Sequence, residues 1–525
     1  MRKLFTNKGG LLVTSRAETV KTDGYLRSFC LFTTAFVSIV TVPSLTAGSA
    51  TWNLNPVNSD WNTAANWTPE TVPDENTDTA TFGVSNITNI SVAFEFGLDS
   101  MVFNSGASPY TFAISEPYVG FIGFGGAGVI NNSGVTQNFD CFGNVGFGGA
   151  ASAGDAVVYT NRGGRPNSTW ISFVGESNAG SATFINEGES TDFERGSLVF
   201  NDTSSADRSS IINEQGDLYG GDTTFYDSST AANSTITAQP GAHVEFNDNT
   251  TAGSAILIAD GGVIYFKNSA TGQLARVELI NGGVLDMIGP DSQVPMTIGS
   301  LEGDSTGEVH LGSRHLTVGG NGLSATFNGV VGGGGFLIKT GNEKLILAGA
   351  NTYTGGTTVT GGTLLGQAAS GSATGFGPVQ VNAGTFGGTG TVKGPVTVGA
   401  GTGPRAFLAP GLNGPGNLSI TRSLTFKSNS SYKCELALTP HPRADQVSAN
   451  GVTIETGAQF VFRTKGNQTL PPGTSFTIIN NTAATPISGV FANLADGSTI
   501  VAGSNTLQAS YEGSDANDLT LTVLP

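Results

Sequence analysis

The sequence predicts an all-β chain folded as a single-stranded right-handed parallel β-helix, a β-solenoid with end caps. Three observations lead there: a glycine-rich and charge-poor composition, a short aromatic strand that recurs about every 20 residues, and turn residues that punctuate every recurrence. Glycine supplies 76 of 525 residues and charged side chains only 12%, against roughly 7% and ~25% in ordinary globular chains. Helix formers are scarce in such a chain. The 31 phenylalanines alternate with Thr, Ser and Asn throughout, so enough apolar surface exists to build a core and disorder is not expected.

Residues 1–50 read as an export signal. Arg2, Lys3, Lys8, Arg16, Lys21 and Arg27 precede an apolar run from Phe29 to Val42, followed by Pro43 and small residues. This is the order of a secretory signal peptide, and cleavage is expected between Ala50 and Thr51. The run of about 14 apolar residues is shorter than the ~20 that a spanning helix requires, and no later segment is long enough. Residues 51–110 are assigned to an N-terminal cap and the first strands. Trp52, Trp61 and Trp67 cluster there, where they either plug the open end of the stack or offer rings to a sugar.

Residues 111–325 hold degenerate repeats. LVFND (198–202), TTFYD (223–227), HVEFND (243–248) and VIYFKN (263–268) place Phe200, Phe225, Phe246 and Phe266 at intervals of 25, 21 and 20. Between them runs a strand of small residues, as in AGSATFIN (179–186) and AGSAILIA (252–259). One such unit cannot bury its own apolar face, but stacked copies align Phe over Phe in a continuous column. Variable intervals fit a solenoid, whose corners absorb length changes. A β-propeller needs longer blades and a sandwich does not repeat. The Asn or Asp after each Phe is read as a turn residue tolerating left-handed backbone, with a ladder of calcium ligands as the competing reading.

Residues 326–425 contain the most regular stretch, GGGGFLIKTGNEKLILAGANTYTGGTTVTGGTLL (332–365). It reads as strands 336–340, 344–347, 357–360 and 363–365 separated by glycine turns. Lys339 and Lys344 are expected to face solvent and Leu337, Leu345 and Leu347 the core, while Tyr353 packs across a corner. This stretch closely resembles the autotransporter-associated β-strand repeat, also called the passenger-associated transport repeat, of secreted bacterial proteins. The resemblance implies that Gly349, Asn351, Tyr353, Gly355, Gly356, Gly361 and Gly362 form the repeat motif. It continues loosely through FLAPGLNGPGNLSI (407–420), ADQVSANGVTI (444–454) and YEGSDANDLTLTV (511–523) in the C-terminal turns and cap, residues 426–525. In autotransporters a membrane barrel follows the passenger. Here the chain stops at Pro525, so the expectation is a passenger-like protein lacking the translocator barrel, with a separate export partner as one route out of the cell.

The net charge of −17 argues against nucleic acid and anionic lipid as partners. Calcium is the cofactor such charge would attract, but no calcium-binding motif is read and no cofactor or metal is expected. Outside the N-terminal segment only Cys141 and Cys434 remain, too far apart on a solenoid to bridge. The densest chemical candidate is EGDSTGEVHLGSRH (302–315), with Asp304, Glu308, His310 and His315. His310 and His315 fall on opposite faces if one strand carries both. No nucleophile elbow, HExxH helix or Walker loop is read in the chain, so no catalytic residue is assigned. The expected function is therefore a non-catalytic, secreted or cell-surface structural and adhesive protein, with extracellular glycan or cell-surface components as its partners. The alternative is an extracellular β-helix that binds or degrades polysaccharide, a lyase or hydrolase drawing on Asp304 and Glu308.

Overall fold

A strand with alternating apolar and polar residues must bury one face, and a chain that repeats such strands can bury them against one another by winding. The computed structural model describes residues 48–115, 120–162, 169–190, 194–287 and 295–525, and these form a parallel β-solenoid of about 15 turns. The basic and apolar segment of the predicted export signal lies outside the described residues.

Each turn of the winding has three sides. The first side is a 14-stranded sheet running from Trp67–Thr68, antiparallel to Ala50–Trp52, to Val330–Gly332. The second is the longest ladder, entered at Asn89–Val92 and left at Gln459–Lys465. The third begins as a column of single bridges through Ser152, Asn178, Ser205, Thr230, Thr251 and Thr271. From Met296–Ile298 to Val452–Ile454 an 8-stranded parallel sheet takes its place.

The sequence reading of two strands per unit therefore misses one side. A side made of one bridging residue per turn carries no hydrophobic alternation by which it could be recognised. After Val330–Gly332 the first side continues through irregular backbone: Thr352 donates its N–H to the Val331 carbonyl at 2.9 Å and Asn351 to that of Ser372 at 2.8 Å. It then widens into a 7-stranded sheet, closed by the antiparallel strands Thr499–Ala502, Asn505–Gly513 and Asp518–Val523. These strands are the C-terminal cap.

The core is a set of columns running along the winding. Phe147, Phe173, Phe200, Phe225, Phe246 and Phe266 stack with centroids 4.7–4.8 Å apart, the spacing of adjacent parallel strands. On the second side Phe139, Tyr159 and Phe184 stack likewise at 4.7 and 5.0 Å, and Ile211, Ile236 and Leu257 extend the column.

Two corner devices accompany the columns. Buried Asn161, Asn186 and Asn213 pass a carboxamide ladder from turn to turn, with Asn186 Nδ2 donating to Asn213 Oδ1 at 2.7 Å. Asp202, Asp227, Asp248 and Asn268 all hold positive φ, between 51° and 58°. They are the turn residues expected after each Phe.

Candidate functional site

The repeat motif is built around one amide. Asn351 is fully buried at the corner between strands Lys344–Leu347 and Gly356–Val359. Its Oδ1 accepts the N–H of Val331 in the turn above at 2.8 Å, and its Nδ2 donates to the Ala373 carbonyl in the turn below at 2.7 Å. One side chain thus replaces the ladder where regular strand is lost, satisfying backbone groups that would otherwise be buried alone. Tyr353, also fully buried, donates or accepts at Thr357 Oγ1 over 2.6 Å. Burial pushes its phenol well above the usual range.

The glycines allow this approach. A Cβ on Gly349 would lie 1.8 Å from the Gly329 carbonyl oxygen, and Gly356 holds φ +114°, a conformation closed to other residues. Gly355, Gly361 and Gly362 likewise have backbone of the neighbouring turn within 3 Å of where a Cβ would stand.

Strand Phe336–Lys339 corrects one expectation. Lys344 is exposed as read, but Lys339 is buried, on the same side as Leu337. Residues two apart on a strand share a face, so an inward Leu337 dictates an inward Lys339. Its ammonium reaches the Thr340 carbonyl at the corner, and burial holds its pKa below the usual lysine range.

At the other end Ala50 and Thr51, the expected cleavage pair, lie in strand Ala50–Trp52, opposite Ala80 and Thr81 of Thr79–Phe82. Trp52, Trp61 and Trp67 are all buried and pack edge to face, with Trp61 and Trp67 centroids 4.8 Å apart. Their indole N–H groups donate to the carbonyls of Ile87, Pro73 and Trp61 respectively. Rings enclosed in this way form the cap and offer no face to a sugar.

Segment 302–315 is dispersed by the winding. Asp304 is a turn cap: its carboxylate accepts the N–H of Asn281 at 2.9 Å and both the N–H and Oγ1 of Thr306, and these bonds hold its pKa below the usual carboxylate range. Glu308 and His310 lie on the outside of the first side, 2.9 Å apart, with Asp286 3.6 Å from the imidazole. His315 belongs to a different strand on the third side, separated by a turn in which Gly312 takes positive φ. The two histidines thus stand on separate strands, joined by the turn at Gly312.

One pattern escaped the sequence reading: Gly303-Asp-Ser-Thr-Gly307 spells the consensus of a nucleophile elbow. That device needs a strand turning into a helix. Here Ser305 sits in an exposed turn between strands Ser300–Gly303 and Glu308–His310. Among the described residues no three His, Cys, Asp or Glu side chains are grouped to hold a metal ion. Cys141 and Cys434 are free thiols in the core. No helix among the described residues is long and apolar enough to cross a membrane.

Residues 337–365 match the model of the passenger-associated-transport-repeat family. The match begins at Leu337, spans Asn351 and Tyr353, and ends at Leu365. No curated protein matches the chain.

Proposed function

We propose that this protein is a non-catalytic, secreted or cell-surface scaffold with an adhesive role, comparable to an autotransporter passenger. The observation that carries the reading is the passenger-associated transport repeat at 337–365, set within a parallel β-solenoid. About 15 turns at ~4.8 Å per stacked strand give a rod roughly 70 Å long, a length suited to projecting a binding surface. The polysaccharide-degrading alternative draws little from 302–315. A glycosidase acid needs a raised pKa, whereas the Asp304 carboxylate is held in its ionised form by the turn that it caps.

Protease treatment of intact cells tests the proposal. Loss of the full-length chain while cytoplasmic markers survive is the expected result. Protection until lysis would refute it.

A further inference from the structure

The outer face of the second side carries a cavity of about 320 Å³ between Lys344 and the last strand of that ladder, Gln459–Lys465. Its floor is a row of outward side chains brought together only by stacking. Thr363 and Thr385 are neighbours across one pair of strands, and Leu365, Gly387 and Ala409 follow one another across the next register. Gly387 keeps the floor low, since a Cβ there would sit 1.8 Å from the Ala409 carbonyl oxygen. Pro410, Gly411, Leu412 and Gly414 also line the cavity. Asp445 ties the end of this loop to the strand beside it, accepting the N–H of Gly416 with one carboxylate oxygen and that of Glu435 with the other, both at 2.8 Å.

Three cations rim this cavity: Lys344, Lys433 and Arg463. None of the three has a carboxylate within 4 Å or a side-chain hydrogen bond among the described residues, although other Lys and Arg side chains do, such as Arg162, Arg276 and Lys427. Lys433 sits 3.6 Å from the Phe407 ring centroid. Burial and the neighbouring Arg463 both hold its pKa below the usual lysine range. Glu435 stands opposite Arg463 in the ladder without pairing to it. On a chain of net charge −17, Lys433 and Arg463, held close together with no carboxylate partner, are what a site for an anionic group requires.

The volume lies at the lower end of small-molecule sites, right for one or two sugar units and too small for a folded partner. Leu365, Ala409, Pro410 and Val461 present apolar surface to the C–H face of a pyranose, and Thr363 and Thr385 present hydroxyls to its own.

We infer that this cavity binds an acidic sugar unit of a polysaccharide, with Lys433 and Arg463 engaging its carboxylate or sulfate, while Lys344 stands at the far end, four strands along the ladder from Lys433. The inference deepens the adhesive reading by naming the chemistry of the ligand.

Calorimetric titration of the purified protein tests it with three probes of equal length, a hexuronate oligomer, a sulfated oligomer and a neutral glucan, and with inorganic sulfate as a fourth. One of the two anionic oligomers should bind, at least tenfold more weakly after Lys433→Gln with Arg463→Gln, and more weakly as salt is raised. Arg208→Gln, which removes one charge as Arg463→Gln does but at an exposed site elsewhere, should leave binding unchanged. Arg463→Gln alone changes an exposed side chain and keeps the test valid should the double variant misfold. No binding by either acidic oligomer, equal binding of the glucan, sulfate binding as tight as the oligomers, or full affinity in the variants would each overturn the inference. Because the measurement uses purified protein, such a failure would stand apart from any failure of the surface location.

Discussion

Phe225 and Phe246 lie face to face with ring centroids 4.7 Å apart and planes within 5°. Parallel strands in register impose that spacing, so each ring is simultaneously the floor of one turn and the ceiling of the next. Phe225→Ala would open a void that neither neighbour can collapse into without leaving register. A loss of about 3–5 kcal/mol is expected from urea unfolding, the usual range for a buried aromatic, with Phe225→Leu costing much less. A loss under ~1 kcal/mol would mean that the column does not bind the turns together.

Asn186 donates to Asn213 and accepts from Asn161 in complete burial. Asn186→Ala orphans partners in both adjacent turns, each costing about 1–3 kcal/mol. Asn186→Asp keeps the shape but removes the donor and buries a carboxylate against the Asn213 oxygen, so it should be the more damaging of the two. Equal melting temperatures for the Asp variant and the parent would contradict the ladder.

The left-handed turns separate steric from ionic roles. Asp227 holds φ +58° and accepts the Asp202 N–H at 3.1 Å. Asp227→Gly should be nearly neutral, while Asp227→Val should cost about 1–2 kcal/mol for a branched side chain in that region. Since the carboxylates are engaged with backbone, adding or chelating calcium should leave thermal unfolding unmoved. A calcium-dependent rise in melting temperature would restore the metal reading of this edge.

Asp445 supplies a pH dependence of definite sign. Burial raises its folded-state pKa to about 6 from an ordinary value of 3.8. The folded state therefore takes up this proton before the unfolded state does. Its contribution to stability is fully present below the unfolded value and is lost as pH rises from about 4 through 6. Comparing urea midpoints at pH 4.5 and 7 for the parent and Asp445→Asn isolates the term: the parent should lose more stability over that interval than the variant. Identical slopes would refute the shift.

Much of this architecture was legible because regular stacking writes itself into the sequence. The intervals between Phe200, Phe225, Phe246 and Phe266 predicted the column, and the Asp or Asn two residues after each predicted the turn. The third side was not legible where it consists of single residues such as Ser205 and Thr230, because one bridge leaves no periodic trace. Lys339 was misplaced by giving its charge precedence over its parity with Leu337. The cavity was invisible for another reason. Lys433 and Arg463 come together only because Lys433 is registered against Val461, and the length of the intervening loop, which sets that register, carries no sequence signal.

The central claim is that this winding stands outside the cell, and thiol labelling tests it most directly. Cys141 and Cys434 are buried and should be silent in the folded protein. Val501, about two-thirds exposed, would be changed to Cys, with Cys30 changed to Ser, and intact cells treated with a membrane-impermeant maleimide. Labelling of whole cells equal to that of lysed cells is the predicted result. Labelling that appears only after lysis would contradict the account.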